Sequence, residues 1–594
     1  MEKRPSTGLY RLVFSFCWSQ WRSQPFRIGG MAGCMLVGTA IDGAIPLLFG
    51  RLIDAVTGAA RLAAVHAVLA VVAAGALLAL LRYGTFRLLI ASSISIMRSI
   101  IEEAFHRVQR FSADWHASTF AGATVRHVAR GVWAYDSLAD TLILGLFPAV
   151  VVLVTAITLL GFHWAAMGAV VTAGVCLYLA VAVGMTLFYI TPVARRSSAL
   201  DSKLSGALAD AITCNAVVKS FAAEAREEQR FAEVAAEWQG RVMTTWRRHT
   251  LTGACQSAVS LGLQAGILGL GVWLWSEGRA SPGDVAYVLT TFTVIQGYLR
   301  EFGNHFRNLQ RSVSDMEDVA TFARMPLGVD DVPQARPLRA TTGRIEFDQV
   351  TFRYPSKVVP LFRDLSLTIA PGEKVGLVGA SGSGKSTFVK LIQRYYDVEG
   401  GRIRIDGQDI AGVTQMSLRN AVSVVPQDPI LFHRSLAENI AYGRPGASRA
   451  DIVAAARCAH ADGFIQDLPN GYDTLVGERG VKLSGGERQR IALARAVLTE
   501  AAVFILDEAT SSLDSVSEHL LQQAVEDVTA GRTTIIIAHR LSTVQRVDRI
   551  LLFDDGKIIE QGRHGDLLAR PGGRYRQLFE TQVLGLIGSA GVRT

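Results

Sequence analysis

Charge is scarce in this chain: only 19% of its 594 residues are Asp, Glu, Lys or Arg, against 49% hydrophobic, and the mean hydropathy is +0.27. A soluble enzyme does not carry so apolar a composition, so part of the chain has lipid as its solvent. Cysteine is sparse and scattered. Cys17, Cys34, Cys176, Cys214, Cys255 and Cys458 form no C-x-x-C and no even framework, so neither a zinc site nor a disulfide scaffold is indicated and a reducing compartment fits. Met1 to Gln24 lacks the apolar core and small-residue cleavage site of a signal peptide. Tyr10 to Trp21 instead predicts an amphipathic helix on the inner membrane surface. The surplus of +8 is assigned to the cytoplasmic side of a membrane protein rather than to nucleic acid.

A spanning helix needs about 20 mostly apolar residues, and six such runs precede a change of composition near residue 325: 28–50, 64–90, 140–163, 165–190, 253–275 and 284–305. Short links at 57–62, 162–164 and 276–284 alternate with long ones at 98–140 and 195–249 that are helical in pattern and rich in Arg and Lys. The basic links, and with them both termini, are therefore expected on the cytoplasmic side of an inner (plasma) membrane. No Gly or Pro interrupts 88–110, and residues 62–110 predict a rod of about 70 Å, more than twice the hydrocarbon thickness. The turns near Trp115 to Gly122 and Ala209 to Asn215 are the expected contacts with a cytoplasmic half.

Polar residues within these spans are the candidate substrate positions. They are Asp42, Arg82, Arg87, Gln256, Gln264, Gln296, Tyr298, Arg300, Glu301, Asn304 and His305. Arg82 and Arg300 are expected near the cytoplasmic leaflet, ready for an anionic headgroup or carboxylate; snorkelling, or pairing with Asp42 and Glu301, is the competing reading.

From Gly343 onward, short apolar strands alternate with helices, an α/β plan built on a parallel sheet. The run 375–378 leads into Gly379-Ala380-Ser381-Gly382-Ser383-Gly384-Lys385-Ser386-Thr387, which fits G-x-x-x-x-G-K-[ST] between a strand and a helix. Its glycines turn backbone N–H groups toward phosphates, Lys385 reaches the terminal phosphates and the Ser386 hydroxyl ligates Mg2+. Tyr354 is a candidate to stack on adenine. Gln427, after a strand, is a candidate for Mg2+ and the attacking water. The strand 503–506 ends in Asp507-Glu508, one carboxylate for the metal shell and one to polarise water, and the strand 533–538 ends in His539, a contact for the γ-phosphate. Together they make a phosphate-hydrolysis site. Ser484-Gly485-Gly486-Glu487, opening an amphipathic helix, is a second anion-binding helix end, which implies that two copies pair so that this loop caps nucleotide on the opposite copy.

With these motifs in this order, joined by Gly477-Glu478-Arg479-Gly480 and Ser511-Ser512-Leu513-Asp514, the chain resembles the ATP-binding cassette (ABC) exporters, specifically bacterial half-transporters. The resemblance covers essentially the whole chain. It implies an all-α six-helix membrane domain followed by an α/β P-loop NTPase: an interfacial segment 1–24, membrane domain 25–325, linker 326–342, cassette 343–582 and tail 583–594. It further implies a homodimer, or a heterodimer, holding two ATP, with Glu508 as general base, His539 stabilising the transferred phosphoryl group and Asp514 among the nucleotide-binding residues. Export of a lipid, drug or glutathione-type conjugate by alternating access is the expected function, with a gated channel or regulatory ATPase of the same architecture as the alternative. Arg130-Gly131, Phe147-Pro148 and 311–317 are similar to the mitochondrial-type, heavy-metal and glutathione-conjugate exporters.

Overall fold

The computed structural model describes residues 6–119, 121–477, 483–507, 515–538 and 544–581. The chain divides into two compact units, Met1–Pro326 and Leu327–Thr594.

The first unit is helical because its long apolar runs contain few breakers. Its elements are α1 (Ser6–Trp21), α2 (Pro25–Thr57), α3 (Arg61–Val108), α4 (Ala113–Ser118), α5 (Ala121–Asp140), α6 (Phe147–His163), α7 (Ala165–Gly184), α8 (Thr191–Thr213), α9 (Asn215–Ser220), α10 (Glu224–Ser276), α11 (Pro282–Asp315) and α12 (Glu317–Phe322). At 48 and 53 residues, α3 and α10 are rods of about 70 and 80 Å. α5 runs into α6, and α7 into α8, through single π-helical segments, Thr141–Leu146 and Met185–Ile190. Each ends just before a proline, Pro148 or Pro192. Proline has no N–H and its ring crowds the carbonyl four residues back, and the wider turn accommodates both without ending the helix.

Among the described residues, five stretches are long and apolar enough to cross a membrane: Pro25–Thr57, Arg61–Val108, Ala121–His163, Ala165–Thr213 and Glu224–Ser276. The sixth expected span lies on α11, which has the length but falls outside that apolar set. Its reason is two-faced chemistry. Tyr287, Val288, Phe292, Ile295 and Leu299 are buried in one core with Leu153, Met167, Val171 and Ile267, while Arg300, Glu301 and Asn304 are exposed. Ser281 caps α11 through a reciprocal box with Asp284, and Asp54 of α2 fixes the same corner by accepting from Ser281 Oγ and Gly283 N, both at 2.8 Å.

The N-terminal helix forms as expected, but its apolar face meets protein rather than bilayer. Leu12, Val13, Phe16 and Cys17 are buried with Tyr135, Val313, Met316 and Val319, and Trp21 Nε1 donates to the Tyr135 hydroxyl at 3.1 Å. What the sequence offered as a membrane-facing stripe is mostly covered by α5, α11 and α12.

Among its described residues the second unit holds two sheets, where the sequence predicted one. Its strands are β1 (Ile345–Phe352), β2 (Phe362–Ile369), β3 (Lys374–Gly379), β4 (Gly400–Ile405), β5 (Gln408–Asp409), β6 (Val422–Val425), β7 (Val503–Asp507), β8 (Thr533–Ile537), β9 (Arg549–Asp554) and β10 (Lys557–Gly562). The six-stranded sheet runs β10-β9-β3-β8-β7-β6, parallel except for β10 against β9. A separate antiparallel sheet runs β2-β1-β4-β5. Buried on both faces, β3, β7 and β8 carry continuous apolar cores at 375–378, 503–506 and 535–537, whereas β2 mixes buried and exposed residues because one face is wet. Phe347, Phe388 and Phe553 pack between the sheets, the first two stacked at 4.3 Å. Asp406 pins the chain leading into β1, accepting from the backbone N–H of Thr341, Thr342, Gly343 and Arg344 and from the Thr342 hydroxyl.

Candidate functional site

The parallel order places the C-terminal ends of β3, β7 and β6 along one edge of the six-stranded sheet, where a doubly covered sheet leaves a crevice for ligands. β3 ends in Gly379, and the loop 380–384 turns into the helix α13 (Lys385–Ile392). Left-handed backbone at Gly382 (φ +81°) and Gly384 (φ +111°) makes the tight curl. Gly379 (φ +148°) is held closer still, since a Cβ there would run into the carbonyl oxygen of Phe553. The result is a tight loop between the end of β3 and the first turn of α13.

Lys385 is only 5% exposed and donates from Nζ to the carbonyl oxygens of Gly379 and Ala380, both at 2.8 Å. Burial pushes its ammonium below the usual lysine range, while the nearby Asp507 carboxylate pulls it back up. The Ser383 hydroxyl is buried without a protein partner. An orphaned donor and a folded-back cation on a glycine loop at a helix N-terminus fit the oxygens of a polyphosphate. Ser381, Gly382 and Ser386 are exposed on the rim, Ser386 at the first turn of α13, where a hydroxyl can face a divalent cation; Thr387 is buried and shares a 2.8 Å hydrogen bond with the Tyr354 hydroxyl. Tyr354 stands edge-on to Phe352 and Tyr396, which fixes its ring beside the loop.

Asp507 ends β7, next to β8 and two strands from β3. Gln427 follows β6, and its carbonyl accepts from Gln489 Nε2 at 3.0 Å. That bond ties the Gln427 loop to the helix Gly485–Leu498, whose cap is the Ser484/Glu487 box: Ser484 N donates to Glu487 Oε2 at 2.7 Å and Glu487 N to Ser484 Oγ at 3.3 Å. Within one chain, then, Ser484 and Glu487 spend polar groups on each other, and Gly485 and Gly486 form the first helical turn. Gln489 has no place among the expected site residues; a polar residue on the buried side of an amphipathic helix is the signal that could have found it. Glu508, Asp514 and His539, like 478–482, lie outside the described residues.

In the helical unit, the candidate substrate residues do not form one cluster. Asp42 of α2, Arg82 of α3 and Tyr298 of α11 do come together: Asp42 Oδ2 accepts from Arg82 Nη2 at 2.8 Å and from the Tyr298 hydroxyl at 2.9 Å. The pairing reading of Arg82 thus replaces that of a cation free for an anionic ligand. Gln296 donates to Ser260 at 3.4 Å, and Asn304 donates to Glu301 at 2.8 Å and accepts from Arg307. Arg87 and Arg300 are exposed.

Two family models match: ABC transporter over residues 362–511 and ABC transporter transmembrane region over 30–299. The chain is 36% identical over 564 residues to an ATM1-type heavy metal exporter of Novosphingobium aromaticivorans, covering 94% of this chain and 92% of that protein. It is 38% identical over 490 residues to ATP-binding cassette sub-family B member 6 of Mus musculus, covering 82% of this chain but 58% of the relative, little more than half its length. An ATP-dependent lipid A-core flippase of Chromobacterium violaceum is 39% identical over 398 residues, 66% of each protein. Among solved structures, a bacterial Atm1-family ABC exporter with ATP bound superposes with a TM-score of 0.83 at 34% identity, over 94% of this chain and 98% of that one.

Proposed function

This chain belongs to the ABC transporters, among the Atm1-type exporters, and from that premise we propose that it couples ATP hydrolysis to outward transport of an amphipathic or hydrophobic substrate, a lipid, drug or glutathione-type conjugate, by alternating access. The observation that carries the ATPase half is the cradle itself, in which Lys385 is hydrogen-bonded to the loop carbonyls and the Ser383 hydroxyl is buried without a protein partner. In this reading the loop N–H groups of 381–386 and Lys385 bind the β- and γ-phosphates, and Tyr354 supports the adenine. Ser386, Gln427 and Asp507 would hold Mg2+, which would supply charge neutralisation to the phosphates. Glu508 accepts the proton of the attacking water as its oxygen bonds to the γ-phosphorus and the bond to the leaving ADP oxygen breaks, and His539 donates to the transferred phosphoryl group.

Two copies form a homodimer in which Ser484, Gly485, Gly486 and Glu487 of one cap the nucleotide of the other, with Asp514 beside them. ATP favours the closed pair of cassettes and the outward-open cavity, and hydrolysis resets it. Both cassettes lie on the cytoplasmic side with the termini. The substrate enters from the cytoplasm or the inner leaflet; Arg87, Gln296, Arg300 and Asn304 are its candidate contacts, and the Asp42–Arg82–Tyr298 group shapes the site by joining three of its helices. The test is ATPase activity of the protein in lipid nanodiscs, titrated in turn with oxidised glutathione or its metal conjugates, anionic lipids and hydrophobic cationic drugs. Saturable stimulation by one class, abolished together with basal turnover in Glu508→Gln while ATP stays bound, is expected. Normal hydrolysis in Glu508→Gln refutes the assignment of the base, and absence of hydrolysis in the unaltered protein refutes the transport reading.

A further inference from the structure

We propose that the corner between α1, α2 and α3 is a binding site for the headgroup of an anionic phospholipid. A groove of about 520 Å³ opens there, whose polar lining is Gln20, Ser23, Gln24, Arg27, Ser95 and Ser99, with Phe26 among its apolar walls. Its chemistry is one of donors. Hydroxyls and amides surround the exposed Arg27, the exposed Arg22 stands beside them, and the sequence holds no acidic residue from Lys3 to Ile41. Arg27 Nη1 donates to Gln24 Oε1 at 3.1 Å and Gln24 Nε2 to Ser95 Oγ at 3.0 Å, so the cation is oriented by side chains that are themselves fixed to α3. The nearest cation of α3, Arg98, is paired with Glu102 at 2.7 Å and leaves the groove to Arg22 and Arg27.

The surroundings select a lipid over a soluble anion. Phe26, on the same turn as Arg27, is 93% exposed, and Trp18 of α1 is 57% exposed. Ile90 and Ile94 of α3 and Leu36 and Val37 of α2 are also exposed, along the stretches apolar enough to cross the membrane. An aromatic pair flanking a cation, where an apolar helix begins, is the arrangement of a membrane interface: phosphate at the guanidinium, acyl chains against the isoleucines. The groove also lies at the end of α2 opposite its short turn into α3, the end from which the basic portion of α3 continues.

The test is native mass spectrometry of the full-length protein in detergent, titrated with phosphatidylglycerol and, separately, with phosphatidylcholine of the same acyl chains. Phosphatidylglycerol is expected to bind at least about tenfold more tightly, and Arg22→Gln with Arg27→Gln to erase that preference while ATP binding, well away in sequence, is retained. Ser99→Glu, an exposed position where a new side chain has room, sets a carboxylate against the two arginines, both kept, as a competitor for the phosphate, and should also erase it. Equal binding of the two lipids to the unaltered protein overturns the proposal, as does a preference that survives Ser99→Glu. Inorganic phosphate displacing phosphatidylglycerol as well as a second anionic lipid does would identify a free-anion site and overturn it too.

Discussion

Removing the carboxylate of Asp42 is the most revealing perturbation of the helical unit, because one group there holds two partners from two other helices. Asp42 lies about 22 Å along α2 from its end at Thr57, inside the depth of a hydrocarbon layer of about 30 Å. Asp42→Ala leaves the Arg82 guanidinium and the Tyr298 hydroxyl without that acceptor. A hydrogen bond to a charged group is worth about 1.5–3 kcal/mol, so two would total about 3–6 kcal/mol. Arg82 is 47% exposed, which leaves it a share of water or headgroup contact, and the expected net cost falls to about 2–3 kcal/mol. The assay is a double-mutant cycle read by thermal unfolding in nanodiscs. Asp42→Ala and Arg82→Ala should each destabilise, and the double variant should be no worse than Asp42→Ala alone, a coupling of about 2 kcal/mol. Tyr298→Phe should cost about 1 kcal/mol in the parent and nothing in Asp42→Ala. Strictly additive losses would refute the pairing.

In the cassette, Lys385→Ala should weaken ATP binding by tenfold or more in a fluorescent-nucleotide titration, and unchanged affinity would count against the cradle. Gly379→Ala forces a methyl group onto the Phe553 carbonyl at a backbone angle that favours glycine, so it should lower the unfolding midpoint and nucleotide affinity together; an intact midpoint would show that the loop can relax. The Asp406 carboxyl is held down to about 2: burial opposes this, but the hydrogen bonds from the Thr342 hydroxyl and from the N–H groups of Thr342, Thr341 and Gly343 prevail. Its folded value lies below the ordinary 3.8, so its contribution is present above pH 3.8 and is lost as pH falls through about 2. Asp406 is partly exposed, and screening leaves about 1 kcal/mol; Asp406→Asn should lose that at pH 7 and flatten the acid limb of stability against pH, whereas an unchanged limb would assign it to other carboxylates.

The features legible in the sequence were those written in one continuous stretch. The cradle needs nine consecutive residues and sits between the strand and helix that its pattern demands, and the spans follow from runs of apolar residues. What escaped depended on chain segments far apart. The antiparallel sheet pairs β1 with both β2 and β4 through short, half-wet strands whose partners no local pattern specifies. The bond from Gln489 to Gln427 and the meeting of Asp42 with Tyr298 bring together residues separated by 62 and 256 positions. The π-helical segments had a local sign in Pro148 and Pro192, yet proline on a helix also reads as a kink or a stop, and only the packed neighbours decide among these. For α1 the amphipathic stripe was visible; that protein rather than lipid covers it was not.

The hydrogen bonds that Lys385 makes to Gly379 and Ala380 brace the loop from within, tying the helix that follows it back to the strand that precedes it. On the proposed reading the same ammonium serves the terminal phosphates, so a phosphate gains only the difference between its grip on that cation and the grip of two neutral carbonyls. Affinity at such a loop is a difference between two holds on one charge rather than the whole of either.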